Sequence, residues 1–320
     1  MVDIEVTDRF KNYNKTYCWQ YSIRLQNREE DLKLAGLTEA DVENLRVSDF
    51  EFAYVHSAKD DRNIPIGYKK VSVGDSSAIC NEVKAFIVRH EWLGKLSLFP
   101  THRFTARHRG ILAGVIIMDQ PAVFSKLLGD KTRKIERLVS RGACVSWSPK
   151  NLASALLMWS IKWMVANTRY RVFTAYSDPE AKELGTIYQA ANFIYLGKTS
   201  GTQKMYRDPL SEKRGWFSDR SFRSRSSYKR YAKNLGIVWD ATWQGGNNIL
   251  WGNIPAGIAL KLKQAAKDHQ KRCLVREVPR KHKYAYILGR DRKETRELMK
   301  QFEERNPDLI GLSYPKDRGQ

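Results

Sequence analysis

The sequence contains few cysteines and no long apolar run. Its four cysteines, Cys18, Cys80, Cys144 and Cys273, are far apart and form no C-x-x-C pair, which argues against a disulfide scaffold and against a zinc knuckle. A reduced, intracellular setting follows, because disulfides persist mainly in oxidising compartments. The longest apolar stretch covers residues 111–118, well short of the roughly 20 residues of a membrane span. We therefore expect a cytoplasmic protein without membrane association.

Acidic residues are scarce beside basic ones. The chain has 35 Asp and Glu against 56 Lys and Arg, a formal net charge of +21. Such an excess attracts polyanions, which are usually nucleic acid or anionic membrane. Residues 211–320 alone hold 25 Lys and Arg against 12 Asp and Glu. Since no segment reaches membrane length, the charge favours a nucleic-acid partner.

The 320 residues are 42% hydrophobic and 11% aromatic, which is enough to bury a core. From residue 69 to 208 the hydrophobic pattern predicts a strand, a helix, a long hairpin, a strand, a buried helix, a strand, a helix and a final hairpin. The fold class is therefore α/β (α+β), with a mixed, largely antiparallel sheet flanked by helices. We divide the chain into an N-terminal extension (1–68), a catalytic core (69–210) and a basic C-terminal α/β module (211–320).

One polar stretch follows a predicted buried strand. Asp178 comes directly after that strand, and Ser177 with Glu180 could form a helix capping box around it. A carboxylate at this place also lies where open α/β sheets bind ligands, and it could accept a proton there. Tyr188, on the edge of the next helix, is either a packing residue or a proton donor.

Four further residues are candidates for the site. Arg137 lies among apolar residues of a predicted strand, so it must be paired or face a cleft; an anionic ligand such as a phosphate, Glu136 or Asp178 could be its partner. Ser154 is one turn into the buried helix, where its hydroxyl could bond to the backbone. Ser148 and Asn151 stand at the start of that helix, where free N–H groups could bind a donor phosphate.

Five quoted segments carry a family resemblance. They are "RHEWLGKLSLFP", "FTARHRGILAGVIIM", "IERLVS", "NLASALLMWSIKW" and "YSDPEAKELGTIYQAANFIYLG". In this order they resemble the core of the GCN5-related acyltransferase (GNAT) fold and, more narrowly, the Mom DNA-modification family of bacteriophages. The resemblance implies transfer of a carbamoylmethyl group to the exocyclic amine of adenine in DNA, which blocks restriction enzymes. It would place a phage-encoded protein in the cytoplasm of the host cell.

The resemblance also carries site residues to matching positions, which are His90, Trp92, Arg137, Ser154, Asp178 and Tyr188. It implies iron, with His90 as a tentative ligand, or an acyl-CoA-like donor. The residues themselves identify neither. Where GNAT proteins have a Gly-rich R-x-x-G-x-G loop, this chain reads "VSWSPKNLAS". His90, Glu91, His102 and His108 are the local set of metal-ligand residue types, and they lack a fixed ligand spacing.

Basic residues with interleaved aromatic ones follow residue 211. Arg223, Arg225, Lys229 and Arg230 belong to this group, and tracking of DNA phosphates is the favoured interpretation over a merely solvated face. A base amine inside a duplex is out of reach, so the target adenine would be extruded and stacked on aromatic residues. Trp92 and Trp147 are candidates for stacking, although core packing would account for either.

The function predicted from these features is a DNA base-modifying transferase that adds a carbamoylmethyl-type group, or a related acyl or aminoacyl group, to adenine. Two alternatives stay open. One is an acyl-CoA-dependent N-acetyltransferase acting on a protein, a tRNA or a polyamine. The other is a DNA-binding protein of the same fold without catalytic activity.

Overall fold

The computed structural model describes residues 18–55, 76–96, 100–200, 203–211, 216–246 and 248–316. The helices are α1 (Trp19–Ala35), α2 (Glu39–Glu43), α3 (Ser76–His90), α4 (Thr132–Ile135), α5 (Leu152–Asn167), α6 (Thr186–Ala190), α7 (Arg225–Asn234), α8 (Ala256–Arg272) and α9 (Arg292–Arg305). The strands are β1 (Glu51–Val55), β2 (Pro100–His108), β3 (Ile111–Asp119), β4 (Glu136–Cys144), β5 (Val172–Ser177), β6 (Ile194–Lys198), β7 (Gln203–Arg207), β8 (Phe217–Ser218), β9 (Gln244–Gly245), β10 (Asn248–Ile249), β11 (Leu274–Val278) and β12 (His282–Ile287). Within these ranges, no helix combines the length and apolarity that a membrane crossing needs.

The chain folds into two compact units. Among the described residues, those within 18–200 and 280–316 form one unit, called here the sheet unit; those within 203–279 form the other, called the basic unit. Residues 201–279 hold 16 Lys and Arg against 6 Asp and Glu. The name of the basic unit rests on that imbalance.

The sheet unit is built on seven strands in the order β1-β2-β3-β4-β5-β12-β6. Only β4 and β5 pair in parallel; the other neighbours are antiparallel. The fold prediction of a mixed, largely antiparallel sheet flanked by helices is confirmed. The expected hairpin between β2 and β3 turns at Arg109 and Gly110, which both have positive φ (48° and 80°).

The core lies between this sheet and α5. Strand β3 is buried from its second residue to its last, as expected for a central strand that is apolar on both faces. Helix α5 presents Leu152, Leu156 and Ile161 fully buried. Burial of one such side chain contributes about 1.5–3 kcal/mol, so α5 anchors the unit.

The two parallel strands separate after a short ladder. Their pairing runs from Glu136 beside Val172 to Val139 beside Ala175. Beyond that point β4 continues along β3, and β5 continues along β12. The two strands therefore diverge after Val139 on β4 and Ala175 on β5. The carboxyl end of β5 is left open on the side of β4.

The units divide the chain differently from the predicted ranges 1–68, 69–210 and 211–320. Strand β1 pairs with β2 at the edge of the main sheet. Strand β12 lies between β5 and β6 in that sheet, although its residues were assigned to the C-terminal module. The predicted final hairpin of β6 and β7 is wrong, because β7 pairs with β11 and β8 in a separate sheet. Local alternation reveals a strand but not its partner, which explains these differences.

The basic unit combines the sheet β11-β7-β8 with α7, α8 and the small pair β9-β10. Helix α7 buries Tyr228, Tyr231 and Ala232 at helical spacing, and they pack with Leu262 and Ala266 of α8. Two sequence predictions, a strand over residues 68–73 and a DNA contact from Arg214, lie outside the described residues.

Candidate active site at the carboxyl end of β5

Asp178 is the first residue after β5 and has two contacts. Its side chain accepts a hydrogen bond from the backbone N–H of Glu180 at 3.1 Å and so caps a short 3-10 helix, Pro179–Ala181. Its Oδ2 lies 2.9 Å from the Nζ of Lys281. The alternative capping residue, Ser177, is buried, and no hydrogen-bond partner for its hydroxyl is present among the described residues. The cap is thus Asp178 itself, held beside a cation.

A second carboxylate, which the sequence reasoning missed, lies next to Asp178. Glu183 accepts a hydrogen bond from the backbone N–H of Asp178 at 3.2 Å through its Oε2. Burial raises the pKa of Glu183 to about 7, and the neighbouring carboxylates Asp178 and Glu91 add to the increase. Near neutral pH this carboxyl is divided between its charged and neutral forms, which suits proton transfer.

The segment between β5 and α6 was predicted as one helix and is irregular instead. Lys182 and Gly185 have positive φ (55° and 67°), which ends the 3-10 helix and starts α6 in a new direction. A Cβ on Gly185 would lie 2.7–2.9 Å from ring and hydroxyl atoms of Tyr284. Only glycine combines this backbone conformation with so close an approach.

Tyr188 on α6 is half-buried in an aromatic group. Its ring centroid lies 5.3 Å from those of Phe193 and Tyr284. Burial raises the pKa of Tyr188 above its ordinary value, and the nearby carboxylate of Glu183 adds to the effect. The phenol is therefore protonated at neutral pH and available as a donor, so the packing role and the donor role predicted for it are compatible.

Two more charged residues complete the surroundings. Glu91 is buried directly after α3, accepts a hydrogen bond from the N–H of Gly94 at 3.0 Å, and acts electrostatically on Glu183 and Tyr188. Arg141 on β4 also acts on Tyr188, with its Nε donating to the carbonyl of Lys95 at 2.8 Å. We call Glu91, Asp178 and Glu183 the acidic cluster.

Arg137 does not lie with this cluster. It pairs in register with Phe173 near the start of β5. Asp178 follows five residues later, which at about 3.3 Å per residue is about 17 Å along the strand. Asp178 is therefore not the partner of Arg137. Arg141, four residues further along β4, lies nearer the carboxyl end of that strand.

Arg137 is instead buried against Tyr170. Its guanidinium lies 3.7 Å from the centroid of the Tyr170 ring and also donates to the Tyr170 hydroxyl. Its Nη1 donates to the carbonyl of Glu136 at 2.9 Å, while its Nε has no partner among the described residues. Burial lowers the pKa of Arg137. Its predicted role with an anion remains a prediction, at a place apart from the acidic cluster.

The predicted donor-binding residues lie around the start of α5. Ser148 is buried and donates to the carbonyl of Val145 at 2.9 Å, and its hydroxyl accepts from Arg24 at 3.2 Å. The helix begins at Leu152 with Asn151 as its N-cap, and the Asn151 side chain makes no capping hydrogen bond. Ser154 donates to the carbonyl of Asn151 at 3.1 Å. The N-cap of α5 is thus Asn151 and not Ser148.

The predicted metal residues are spread apart. His90 is buried, with its Nδ1 3.7 Å from Asp31 of α1. His102 faces the rings of Tyr54 and Tyr170, and His108 those of Phe50 and Trp147. In the described part of the chain, the one grouping of three or more His, Cys, Asp or Glu ligand atoms is elsewhere, at Asp208, His269 and Cys273. The set around His90 therefore does not fit an iron site.

The two tryptophans predicted to stack on a base differ in exposure. Trp92 is partly exposed beside the buried Glu91, and its ring meets the edge of Trp19 at a centroid distance of 5.3 Å. Trp147 is buried in the core near Phe50. Trp147 is therefore a packing residue, whereas Trp92 keeps a surface that a ligand could reach.

The predicted DNA-contacting residues lie on and before α7. Arg223 pairs with Asp219, and Arg225 donates to the carbonyl of Gly246. Lys229 and Arg230 are exposed on the face of α7 opposite its buried tyrosines, as is Lys233. Lys229, Arg230 and Lys233 make no ion pair with any acidic residue that the structure describes. These three are the cations best placed to meet phosphates.

Solved structures similar to the chain include a GNAT family acetyltransferase from Elizabethkingia anophelis with acetyl-CoA bound, at 10% identity and a TM-score of 0.30, covering 75% of this chain and 99% of that one. Another is an N-acetyltransferase from Staphylococcus aureus Mu50, at 15% identity and a TM-score of 0.26, covering 59% and 88%. Similarities of this size do not establish a shared activity. No curated protein sequence matches the chain.

The family comparison is more specific. Residues 80–236 match the model of the Mom protein family. The predicted resemblance to this family is therefore confirmed over these residues. The matched range includes most of α3, the diverging strands β4 and β5, the acidic cluster and α7. The helices and strands after residue 236 lie outside it.

Proposed function

We propose that the protein is a transferase that modifies adenine in DNA, adding a carbamoylmethyl-type group or a related acyl or aminoacyl group to the exocyclic amine. The observation that carries the proposal is the match of residues 80–236 to the Mom family. Within the matched range, two carboxylates and a protonated tyrosine lie at the open carboxyl end of β5. Open α/β sheets bind their ligands at such an end.

The proposed reaction needs three groups: a base that accepts the amine proton, an acid that protonates the leaving group, and a cation that offsets developing negative charge. The amine nitrogen of adenine attacks the electrophilic carbon of the donor, a new N–C bond forms, and the bond from that carbon to the leaving group breaks. The amine proton passes to a carboxylate of the acidic cluster. Asp178 was predicted for this role, and the structure adds Glu183, whose pKa of about 7 suits it better. Tyr188 would protonate the leaving group, and Arg141 would offset developing negative charge.

Asp178 has a more specific place in this scheme than its capping role alone. Its carboxylate lies 2.9 Å from the Nζ of Lys281, and its own N–H donates to Glu183. A charged Asp178 beside Glu183 disfavours a second negative charge, which keeps Glu183 ready to release or take a proton. Asp178 and Glu183 thus act together, with one carboxylate orienting and the other exchanging the proton.

The DNA would be held through phosphates. Lys229, Arg230 and Lys233 offer a row of exposed cations in the basic unit, and such contacts give binding without sequence preference. The adenine would have to leave the base stack to reach a carboxylate. Trp92, partly exposed and next to Glu91, is the residue we propose as its stacking surface.

Mass spectrometry of nucleosides tests the proposal directly. Plasmid DNA from bacteria expressing the protein is digested to nucleosides and compared with DNA from cells expressing the Asp178→Asn variant. We expect a modified deoxyadenosine in the first sample and little in the second. An acetylated protein, tRNA or polyamine with unmodified DNA would instead indicate the N-acetyltransferase alternative. Unchanged nucleosides together with tight DNA binding would indicate a binding protein without this chemistry.

A further inference from the structure

A group of three potential metal ligands is buried inside the basic unit. Asp208, His269 and Cys273 are each exposed by less than a tenth. One carboxylate oxygen, one imidazole nitrogen and the thiol sulfur lie within 4.8 Å of one another. We propose that these side chains form a zinc site that fastens the basic unit together.

The backbone brings the three residues together independently of any ion. His269 and Cys273 stand four residues apart across the end of α8, so they lie one helical turn from each other. Strand β11 starts directly after Cys273 and pairs with β7, with Leu274 opposite Arg207. Continuing that antiparallel register by one residue sets Cys273 beside Asp208. The site therefore joins a helix end to two paired strands.

The ligand types fit zinc better than a hard cation. Zinc accepts nitrogen, sulfur and oxygen ligands in a four-coordinate site, and three protein ligands leave the fourth position to water. Ligand atoms around one zinc ion lie about 3.3–3.8 Å apart, as bond lengths of about 2.0–2.3 Å require. His269 Nε2 and the Asp208 oxygen, 2.9 Å apart, would have to separate by about 0.4 Å, and the thiol sulfur would have to approach them by about 1.5 Å at most. Magnesium and calcium are disfavoured, because they seldom take thiolate or imidazole.

His269 also has the supporting contacts of a metal-binding histidine. Its Nδ1 lies 2.7 Å from the hydroxyl of Tyr231, which leaves Nε2 facing Asp208 at 2.9 Å. Metal-binding histidines usually hold their second nitrogen in such a hydrogen bond, which fixes the ring. The ring of Phe222 meets that of His269 edge-on at a centroid distance of 4.9 Å. This aromatic contact shields the group from water.

Arg272 competes with a metal ion for the carboxylate of Asp208. Its Nη2 lies 2.9 Å from the same Asp208 oxygen that faces His269. The Arg272 side chain is 51% exposed, so the guanidinium can withdraw into solvent when an ion takes its place. Metal binding at Nε2 then leaves the single imidazole proton on Nδ1, where it donates to the Tyr231 hydroxyl, and releases the thiol proton and one guanidinium contact. We expect Arg272→Ala to bind the metal more tightly than the natural sequence does.

Cobalt(II) gives a direct measurement, since it enters zinc sites and its bond to thiolate absorbs in the near ultraviolet. The full-length protein is stripped with a chelator and titrated with cobalt alone, and zinc is then added. We expect the thiolate band to rise to one equivalent and to vanish on addition of zinc, which binds such sites more tightly. A titration that gives no thiolate band in the natural sequence overturns the proposal.

Two cysteine variants identify the ligand. Cys273→Ser should lose the band while retaining the helical circular dichroism of the natural protein. Cys144→Ser is the matched control, because Cys144 is a buried free thiol in the sheet unit, and it should leave the band unchanged. A band that survives Cys273→Ser would place the metal elsewhere. If Cys273→Ser fails to fold, the cobalt affinity of Arg272→Ala tests the proposed site instead. Weaker cobalt binding by Arg272→Ala than by the natural sequence would contradict the proposal.

Discussion

The surroundings of a carboxylate shift its pKa in opposite directions in the sheet unit and in the basic unit. In the sheet unit, burial raises the pKa of Glu183 to about 7, with Asp178 and Glu91 nearby. In the basic unit, burial of Asp208 is outweighed by hydrogen bonds from Arg272, the N–H of Leu210 and His269, which lower its pKa. A carboxylate that is fully paired serves structure, whereas one left among other acids can exchange protons near neutral pH.

The cations of the two units differ in whether they are paired inside the protein. Buried arginines of the sheet unit have partners inside the protein, such as Arg137 with Tyr170 and Arg171 with Glu294. On α7 of the basic unit, three cations are exposed and form no ion pair with an acidic residue that the structure describes: Lys229, Arg230 and Lys233. Lys229 lies over the Trp239 ring and Arg230 over the Tyr231 ring, each at 5.8 Å. We therefore expect chemistry to depend on the sheet unit and DNA affinity on the basic unit. The predictions below test this division.

The largest effect is expected from Asp178→Asn. Asparagine caps helices about as well as aspartate does, so folding should be preserved. Loss of the charge beside Lys281 and Glu183 should lower DNA modification by on the order of a hundredfold or more, while DNA affinity stays the same. Nucleoside mass spectrometry and a filter-binding assay measure the two quantities.

Asp291→Asn is the matched control for that substitution. Asp291 caps α9 in the same unit by accepting from the N–H of Glu294 at 2.8 Å, and it is exposed and remote from the acidic cluster in sequence. It should modify DNA normally. Full modification by Asp178→Asn would show that the residue only caps its helix.

The next effect concerns DNA binding. DNA affinity should fall as the salt concentration rises, and the slope of log affinity against log salt concentration measures this dependence. Replacing Lys229, Arg230 and Lys233 by alanine should reduce the magnitude of that slope by up to about 2.7, because each lost phosphate contact reduces it by about 0.9. Arg223 and Arg225 should contribute less, because each already has a partner in the protein.

Alanine substitution of Arg292, Lys293 and Arg296 is the control for the salt experiment. These cations are exposed on α9 of the sheet unit. Their substitution removes the same net charge as the triple substitution on α7. If both triple variants changed the slope equally, overall charge and not α7 would account for binding, and the division between the units would fail.

A smaller effect is expected on stability from Glu183→Gln. The folded state raises the pKa of Glu183 from 4.5 to about 7, so the fold favours its neutral form. The stability linked to this group is fully present below about pH 4.5 and is lost as the pH rises through about 7. The variant should therefore gain stability relative to the natural sequence over that interval. Urea unfolding at several pH values measures the difference, and parallel curves would contradict the assignment.

The smallest effect on stability is expected from Asn151→Ala. The side chain is exposed and makes no capping hydrogen bond, so the free energy of unfolding should change by no more than about 0.5 kcal/mol. If Asn151 binds the group donor as predicted, DNA modification should nevertheless fall. Unchanged modification would remove Asn151 from the donor site.

The sequence by itself determined the local elements of this protein. Apolar runs such as residues 111–118 predicted the central strand β3, and the near-continuous hydrophobicity of "ALLMWSIKW" predicted the buried helix α5. The family resemblance set Asp178 and Tyr188 in one site, which the structure keeps together around Glu183. These features depend on periodicity and on short spacings along the chain, which the sequence carries directly.

Only the tertiary structure decided which distant residues meet. It inserted β12 between β5 and β6 and so brought Lys281 to Asp178. It separated Arg137 from the acidic cluster through the register of one parallel ladder, and set Arg141 at the other end of that strand. It also raised the pKa of Glu183 to about 7, because a pKa depends on burial and on the charges around the group. Strand partners and burial are properties of the whole fold, which no single stretch of this sequence specifies.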